Sequence, residues 1–352
     1  LFHFSTEKGR PEAPDTLTTS LSLDDKVIKD IVKNLYYPDS PYEFSVFSAD
    51  ILGQVYEQFL GKTIHLTAGH QAKIEDKPEV RKAGGVYYTP KYIVDYIVTN
   101  TLGKQLNTPD PIPIPKAAEI KVLDPACGSG SFLIVAYQYL LDWHRDQYTL
   151  DSVTALPDEK KAKKHSKGKT PVIYQAQGGE WKLTISERKR ILLNNIHGVD
   201  IDFQAVEVTK LSLLLKVLEG ETTATTQRDF LKERQRILPD LGANIQCGNS
   251  LIGPDFYDQL DLPDLDDETK YGINVFDWET AFHDLRFDCI VGNPPWGASI
   301  HNSTSGYLKS HYKRVIDRMT DTYVYFLDKS IQLASSNGVV GMVIPATLLN
   351  QS

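Results

Sequence analysis

Four short segments, each after an apolar run of strand length, carry residue types that could bind a ligand or react with one. They are Asp-Pro-Ala-Cys-Gly-Ser-Gly at residues 124–130, Gly-Val-Asp-Ile-Asp at 198–202, Gly-Asn-Ser-Leu at 248–251 and Asn-Pro-Pro-Trp at 293–296. In an open α/β sheet, ligands bind outside the carboxyl ends of the strands, where such segments would meet. The pattern therefore predicts one site assembled from distant parts of the chain.

The segment at residues 124–130 has the glycines of a ligand-binding turn. Gly128 and Gly130 allow the backbone to turn sharply and to approach a ligand closely. The segment lacks the GxGxxG spacing of a dinucleotide site and the Lys-Ser/Thr pair of a phosphate-binding loop. It therefore favours neither a pyrophosphate nor ATP, and a tight strand-to-helix turn is the alternative interpretation.

Acidic and polar residues follow the next two predicted strands. Asp200 would lie at a strand tip, where a carboxylate can accept hydrogen bonds from the hydroxyls of a ribose. Asp202 is explained as well by the start of a helix, which favours acidic side chains. Asn249 and Ser250 would add polar groups at the same edge of the sheet.

The tetrapeptide at residues 293–296 offers hydrogen-bond acceptors beside an aromatic ring. Its two prolines fix the backbone and remove two N–H donors, which leaves carbonyl oxygens next to the amide of Asn293. Such a group could accept hydrogen bonds from an exocyclic amine while the ring of Trp296 stacks on a planar base. A rigid turn with a buried tryptophan is the alternative, because Asn before Pro is a common turn signal.

The elements that would position these segments alternate between strand and helix from residue 84 onward. Short apolar runs predict strands at residues 120–123, 196–199, 244–247, 287–291 and 339–344. Apolar residues at helical spacing predict helices at residues 92–102, 132–143, 186–194, 203–218 and 322–334. The alternation predicts a Rossmann-like, doubly wound α/β fold with a mostly parallel sheet.

Residues 1–80 are predicted to form a small helical domain, and residues 81–352 the α/β domain. In the first domain, helical spacing recurs at residues 24–35 and 48–60, whereas residues 67–83 are polar and predict a loop or linker. In the second, residues 151–180 carry a cluster of lysines and are interpreted as a basic insertion. A solvated, mobile segment and a contact to a DNA backbone are the two interpretations of that cluster.

Composition limits the class of protein. The chain has 352 residues and a net charge of −8, which counts against nucleic-acid binding by overall charge. Three cysteines without a CxxC or HxxxH pair predict a reducing compartment, no disulfide framework and no structural metal site. No apolar run is long enough for a membrane span. Because neither end resembles the natural end of a protein, we expect a fragment of a longer polypeptide.

The order of the motifs resembles that of the gamma class of N6-adenine DNA methyltransferases, which use S-adenosylmethionine. Tyr-Tyr-Thr-Pro at residues 87–90 precedes the glycine loop, the acidic strand end and Asn-Pro-Pro-Trp. Residues 50–60 resemble the helical connector of fused restriction–modification enzymes of the Eco57I-like type IIG group, and residues 339–349 resemble a later strand motif of that group. The resemblance covers roughly residues 48–350.

The resemblance implies a role for each motif residue. S-adenosylmethionine would be held by Tyr88, Thr89, Pro90, Asp124, Pro125, Ala126, Cys127, Gly128, Gly130, Asp200, Ile201, Asn249, Ser250 and Leu251. Within this set, Asp200 would bind the ribose and Ile201 would pack on the cofactor adenine. Asn249 stands where many relatives carry an Asp that contacts the amine of that adenine. The target base would be bound and stacked by the catalytic group Asn293, Pro294, Pro295 and Trp296.

The implied reaction is methyl transfer to the N6 amine of a flipped-out adenine in double-stranded DNA, in a bacterial or archaeal cytoplasm. No covalent enzyme intermediate is needed, so Cys127 and Cys289 are not assigned as nucleophiles. A target-recognition domain and a nuclease would belong to other parts of the same polypeptide. Alternatives with the same fold use cytosine N4, RNA or a protein glutamine amide as acceptor, and a last alternative is a non-catalytic subunit that depends on a partner.

Overall fold

The computed structural model describes residues 24–35, 62–66, 72–76, 89–108, 112–153, 172–221, 238–258, 270–283, 285–297, 302–315 and 321–346, except 177 and 271, together with the isolated residues 22, 39 and 51. The strands among them are β1 (Lys62–Leu66), β2 (Ala72–Asp76), β3 (Val122–Asp124), β4 (Ile173–Gln175), β5 (Trp181–Leu183), β6 (Ile196–Asp200), β7 (Ile245–Cys247), β8 (Phe287–Gly292) and β9 (Ala334–Met342). The helices are α1 (Asp25–Asn34), α2 (Lys91–Asn100), α3 (Leu102–Leu106), α4 (Ile114–Ala117), α5 (Ser131–Val153), α6 (Ile185–Asn195), α7 (Phe203–Leu218), α8 (Trp278–Phe282), α9 (Asn302–His311) and α10 (Thr322–Leu333), with a 3₁₀ turn at Pro254–Phe256.

Five parallel strands form the central sheet, in the order β7-β6-β3-β8-β9. From β3 the chain adds β6 and β7 on one side and then returns to add β8 and β9 on the other. This order confirms the predicted doubly wound, mostly parallel α/β fold. Because the direction of winding reverses between β3 and β8, the crevice outside the carboxyl ends of these two strands is the expected ligand site.

The inner strands of this sheet are apolar along their length. Leu123 of β3, Ile196 of β6 and Ile290 of β8 are fully buried, as expected for parallel strands that have helices on both faces.

Two buried asparagines fix the strands to their connections. The Asn195 amide donates to the Ile120 carbonyl at 2.6 Å, and the Asn244 amide donates to the Ile196 carbonyl at 2.8 Å.

Helix α2 packs on the edge strand β9. A Cβ at Gly341 would lie 2.5 Å from Thr101 Cγ2 and 3.0 Å from Ile97 Cγ2, so the helix and the strand meet closely at this glycine. Val94 and Val98 of α2 are buried. The packing fixes α2, and with it the residues just before the helix, relative to the sheet.

The N-terminal region agrees with the prediction in one helix and corrects it in one strand. Helix α1 is present, and its N-cap Asp24 accepts a hydrogen bond from the backbone N–H of Lys26 at 2.8 Å. Residues 72–76 were predicted to be loop, but they form β2, antiparallel to β1, with Ile64 opposite Ile74. Each strand of this hairpin has few apolar residues among polar ones, so its composition is close to that of a loop. The helix predicted at residues 48–60 lies outside the described residues, apart from Ile51.

Three later boundaries also differ from the prediction. Helix α5 continues to Val153, ten residues past the predicted end of the helix and into the predicted insertion. Residues 173–175, predicted to be part of the basic insertion, pair with residues 181–183 in the antiparallel hairpin β4–β5; the lysine-rich residues 160–169 lie outside the described part of the chain. Strand β9 begins at Ala334 rather than at residue 339, and its register with β8 shifts between Phe287 and Cys289. The intervening Ser-Ser-Asn-Gly has the composition of a turn, which hides the start of the strand. No helix among the described residues is both long and apolar enough to cross a membrane.

Candidate functional site

The predicted site segments meet at the carboxyl edge of the central sheet. β3 ends at Asp124, β6 ends at Asp200 and β8 ends immediately before Asn293. In the parallel register, Asp124 lies opposite Gly198, and Asp200 lies opposite Cys247. The structure therefore brings together segments that are up to 204 positions apart in sequence. Tyr88 lies outside the described residues.

The glycine loop after β3 is held by β6 and α7. The Gly128 N–H donates to Asp200 Oδ2 at 2.8 Å, and the Thr209 hydroxyl donates to the Gly128 carbonyl at 2.7 Å. Gly128 and Gly130 have φ angles of 52° and 86°, which favour glycine. A Cβ at Gly130 would lie 2.8 Å from Thr209 Cγ2, whereas one at Gly128 would meet nothing within 4 Å. The loop is thus packed at Gly130 and open at Gly128.

Thr209 was not predicted from the sequence. It is fully buried on α7, and it anchors the loop by one hydrogen bond and one close contact. In the sequence, a threonine in an apolar helix that anchors a loop cannot be distinguished by its spacing from an ordinary core residue. The glycine loop alone could have indicated only that some residue must face it, and not that this residue lies on α7.

Asp200 presents a carboxylate next to this loop. Its Oδ1 accepts from the Asp202 N–H at 2.9 Å, and its Oδ2 accepts from the Gly128 N–H. Burial raises the pKa of Asp200 to about 6, although these N–H donors act to lower it. The group is therefore ionised at pH 7. The adjacent side chain of Ile201 is 49% exposed, so a charged acceptor and an apolar surface lie side by side.

Asp124 is placed differently, because its side chain is 1% exposed. Its Oδ1 accepts from the Ala126 N–H at 3.0 Å, which turns the chain into the loop. Burial raises the pKa of Asp124 to about 8, and the neighbouring charge of Asp200 acts in the same direction. A Cβ at Gly292 would lie 2.6 Å from Asp124 Oδ1, so only glycine fits at the end of β8.

The segment after β7 is tied to the glycine loop. The Asn249 Oδ1 accepts from the Leu251 N–H at 3.1 Å, and the buried Ser250 hydroxyl donates to the Pro125 carbonyl at 2.6 Å. Leu251 is 6% exposed and packs with the apolar cluster under α9. Ser250 and Leu251 therefore support the edge of the site, whereas Asn249 is only partly buried.

Asn274 and Trp278 also support this edge, and the sequence did not indicate either of them. The side-chain amide of Asn274 donates to the Ile201 carbonyl at 3.2 Å, and the backbone carbonyl of Asn274 accepts from the Asn249 N–H at 2.6 Å. The Trp278 indole donates to the Ser250 carbonyl at 3.0 Å. The positive φ of Asn274, 47°, is compatible with asparagine, but a lone Asn between two apolar residues gives no sequence signal.

Asn293 has one satisfied and one unsatisfied side-chain atom. Its Nδ2 donates to the Thr89 hydroxyl oxygen at 3.0 Å. Its Oδ1 is buried and has no hydrogen-bond partner among the described residues. Thr89 is 8% exposed and precedes Pro90, the N-cap residue of α2. An unpaired buried carbonyl oxygen is costly, and it is the group that a donor on a ligand would satisfy.

The rest of the tetrapeptide is fixed at several points. Pro294 is buried, and the Pro295 carbonyl accepts from the Thr322 hydroxyl at 3.0 Å. The Trp296 indole donates to the Val343 carbonyl at 3.2 Å, and its side chain is 37% exposed. The tryptophan is therefore held by its edge at the surface, and this disagrees with the alternative of a buried core tryptophan.

A model of the Eco57I restriction-modification methylase family matches residues 194–352. This similarity runs from the end of α6 through β6, β7, β8 and β9 of the central sheet. The matched segment includes Asp200, Asn249 and Asn293 of the site.

Curated methylase relatives extend the similarity beyond this segment. The Type II restriction enzyme and methyltransferase RM.Eco57I of Escherichia coli is 34% identical over 333 residues, which cover 94% of this chain and 30% of that protein. A putative type II restriction enzyme and methyltransferase of Methanocaldococcus jannaschii, RM.MjaORFECS2P, is 31% identical over 238 residues, which cover 58% of this chain and 16% of that protein. The adenine-specific methyltransferase BrxX of Escherichia coli O9:H4 is 25% identical over 244 residues, covering 61% and 16%. The chain spans less than a third of the length of each of these relatives.

Two buried cysteines are poorly placed for nucleophilic attack. Cys127 and Cys289 are 5% and 0% exposed. Burial raises the pKa of the Cys127 thiol well above its usual range and that of Cys289 to about 12, so neither forms a thiolate at neutral pH. Among the described residues there is also no group of three or more His, Cys, Asp or Glu side chains arranged to bind a metal ion.

Proposed function

We propose that the chain transfers a methyl group from S-adenosylmethionine to the N6 amine of an adenine in double-stranded DNA, as the modification part of a restriction–modification system. The observation that carries the proposal is the buried, unpaired Oδ1 of Asn293 at the end of β8. It is an acceptor without a donor, and an exocyclic amine is a donor of the right kind. The adenine-specific name of one relative supports the choice of base.

The residues at the edge of the sheet fit S-adenosylmethionine. The glycine loop is open at Gly128, where even a Cβ would meet nothing within 4 Å. Asp200 supplies an ionised acceptor for ribose hydroxyls, and the exposed Ile201 supplies an apolar face for an adenine ring. The methionine end would lie against the loop and Thr89. When bound, this cofactor supplies an electrophilic methyl group on a positively charged sulfur.

Asn249 would contact the cofactor adenine. One lone pair of its Oδ1 is used by the Leu251 N–H, and the second lone pair and the Nδ2 donors are left for a ligand. Ser250 and Leu251, which the resemblance also assigned to cofactor binding, would act by holding Asn249 in place, because the Ser250 hydroxyl already donates to Pro125.

The target base would be handled by the tetrapeptide. A base inside a duplex cannot reach the cofactor, so it must be flipped out of the stack. The N6 lone pair is delocalised into the ring and is a poor nucleophile. Asn293 Oδ1 and the Pro294 carbonyl would accept the two amine hydrogens and so orient the nitrogen, while the ring of Trp296 stacks on the base. Positioning is then the main contribution of the protein to the rate.

The net charge of −8 indicates that DNA affinity does not come from overall charge in these 352 residues. We propose that a target-recognition region elsewhere in the polypeptide supplies most of the contacts to the phosphates. RM.Eco57I is named as both a restriction enzyme and a methyltransferase, and it is more than three times as long as the part that matches this chain. Both facts support this division.

The test is to express the full-length gene in a host that lacks DNA methylation, to digest the host DNA to nucleosides and to analyse these by mass spectrometry. We expect N6-methyladenine, and we expect none from the Asn293→Ala variant expressed at the same level. N4-methylcytosine would keep the fold and the mechanism but overturn the proposed base. Absence of both products, with the protein folded and able to bind S-adenosylmethionine, would overturn DNA as the substrate.

A further inference from the structure

A single hydrogen bond connects the segment before α2 with the end of β8. The Asn293 Nδ2 donates to Thr89 Oγ1 at 3.0 Å, across 204 positions of sequence. Thr89 is buried and Asn293 is partly buried, and the buried Asn293 Oδ1 has no partner among the described residues. Asn293 therefore has one end of its amide held and the other end free.

The direction of this bond determines which end of the amide faces the ligand. An amide can turn by 180° about its last bond and exchange its oxygen and nitrogen at little steric cost. If it turned, the oxygen would face Thr89 and the NH₂ group would face the amine of the target, so two donors would oppose each other. A hydroxyl can also donate to an amide oxygen, so Thr89 alone pairs with either end of the amide; the donor on the target requires the oxygen, and Thr89 then accepts from the NH₂ group on the other side.

We infer that Thr89 is a positioning residue that holds the Asn293 amide in the orientation needed for methyl transfer, by pairing its NH₂ group, in addition to any contact with the cofactor. The inference rests on the proposed function. Thr89 acts through Asn293, since it bonds to that side chain and not to the reacting atoms. The substrate class that fits this orientation is an amine donor, which needs an oxygen at this place.

The fold holds Thr89 at a fixed distance from Asn293. Thr89 lies directly before α2, whose packing on β9 at Gly341 leaves no room for a Cβ. Strand β9 is paired with β8, and the Val343 N–H donates to the Gly292 carbonyl at 3.0 Å, one residue before Asn293. The helix and the strand are thus linked through packed elements as well as through the side-chain bond.

The first test compares Thr89→Val with Thr89→Ser in the full-length protein. Valine has nearly the shape of threonine but no hydroxyl, and serine keeps the oxygen. With cofactor and DNA saturating, we expect Thr89→Val to lower the single-turnover rate of methyl transfer by about ten- to a hundredfold, since a buried NH₂ group loses its partner. Thr89→Ser is expected to restore most of the rate. The matched control is Thr149→Val. It removes a hydroxyl that donates to the Arg145 carbonyl near the C-terminal end of α5, away from the glycine loop.

A second variant distinguishes an effect of Thr89 on the orientation of the Asn293 amide from a general structural role of Thr89. In Asn293→Asp both side-chain oxygens are acceptors, so a turn of the side chain changes nothing for the amine. In that background we expect Thr89→Val to reduce the rate much less than it does beside Asn293. An equal reduction in both backgrounds would overturn the inference, because Thr89 would then act independently of the amide.

Cofactor affinity, measured by calorimetry in the same variants, gives the remaining outcome. We expect Thr89→Val to change it by less than about threefold. A large loss of affinity with an unchanged rate at saturation would assign Thr89 to cofactor binding alone and overturn the inference. If the unmodified full-length protein transfers no methyl group to DNA, it is the proposed function that fails, and the wild-type reaction in each series shows this directly.

Discussion

Asp124 and Asp200 end neighbouring strands, yet their surroundings give their carboxyl groups different charges at pH 7. Burial raises the pKa of both, to about 8 for Asp124 and to about 6 for Asp200. At pH 7 the first is mostly protonated under the end of β8, and the second is mostly ionised beside an exposed apolar side chain. Two carboxyl groups at the same edge of the sheet thus differ in charge at pH 7 because of their surroundings, and we expect the ionised one, Asp200, to accept hydrogen bonds from a ligand.

Cofactor affinity should depend on the ionisation of Asp200. A ribose hydroxyl donates to the carboxylate but not to a fully hydrogen-bonded carboxylic acid. Because the pKa of Asp200 is about 6, affinity for S-adenosylmethionine should fall about tenfold between pH 7 and pH 5. Calorimetric titration at each pH measures this. The Asp200→Asn variant should bind more weakly with a flat profile, and an unchanged slope in that variant would contradict the assignment.

Stability should depend on Asp124 in a different pH window. Its pKa is raised on folding from an ordinary carboxyl value to about 8, so the stabilising contribution is present at low pH and is lost as pH rises. Between about pH 4 and pH 8, wild type should lose up to about 1.4 kcal/mol of unfolding free energy per pH unit relative to Asp124→Asn. Urea unfolding at several pH values measures the difference. Asp146→Asn, at an exposed carboxylate of α5, is the control, and a flat difference for Asp124→Asn would contradict the burial argument.

At the scale of elements, the close contact of α2 with β9 connects stability and function. A Cβ at Gly341 would lie 2.5 Å from Thr101 Cγ2, so the helix must move to admit it. Because Thr89 directly precedes the helix, such a movement reaches Asn293 through their hydrogen bond. A change in packing on one face of the sheet is therefore transmitted to the candidate site.

Gly341→Ala should lower the free energy of unfolding by about 1–3 kcal/mol, the usual cost of overfilling a packed contact. It should also reduce methyl transfer more than cofactor binding. The control is Gly306→Ala in α9, where a Cβ meets nothing within 4 Å and alanine should stabilise the helix by about 0.5–1 kcal/mol. Chemical denaturation of both variants provides the measurement. If both variants were equally stable, α2 would be able to move and admit the Cβ at residue 341 without cost, which would contradict the prediction.

Sequence periodicity predicted the elements of the sheet well because their cause is local. The helix at residues 203–218 was predicted with the observed bounds, and the five strands of the sheet were placed within a few residues, except for the start of β9. It did not find the hairpins β1–β2 and β4–β5, the short helices α3, α4 and α8, or helix α9, because their short lengths or polar residues resemble those of loops. The start of β9 was missed because a register shift has no marker in composition.

At the scale of the whole molecule, the site is formed by long-range pairing. The motifs predicted which strand ends carry ligand groups, and their meeting follows from the parallel order. The supporting residues Thr209, Asn274 and Trp278 could not be predicted, since each becomes relevant only when a distant segment is placed beside it. The role of each predicted residue toward ligands stays a prediction until it is measured.

Binding of S-adenosylmethionine to the folded chain should raise its melting temperature. At a cofactor concentration a hundred times the dissociation constant, the stabilisation is about 2.7 kcal/mol. The shift should be strongly reduced in Asp200→Ala, which removes the acceptor next to the loop, and retained in Asn293→Ala. A thermal-shift series with S-adenosylmethionine tests all three proteins. Loss of the shift in Asn293→Ala would contradict the separation of cofactor and target functions.

The position of β3 in the sheet has a consequence for how the protein is made. This central strand pairs with β6 and β8, and the Lys121 N–H beside it bonds to the Asp288 side chain 167 positions later in the chain. On the ribosome, β3 therefore emerges with one edge unpaired until residue 292 has been synthesised, and an exposed edge of an apolar strand pairs readily with other chains. We expect the newborn chain to rely on chaperones during that interval, and we expect a nonsense mutation before β8 to yield aggregates instead of a shorter, cofactor-binding protein.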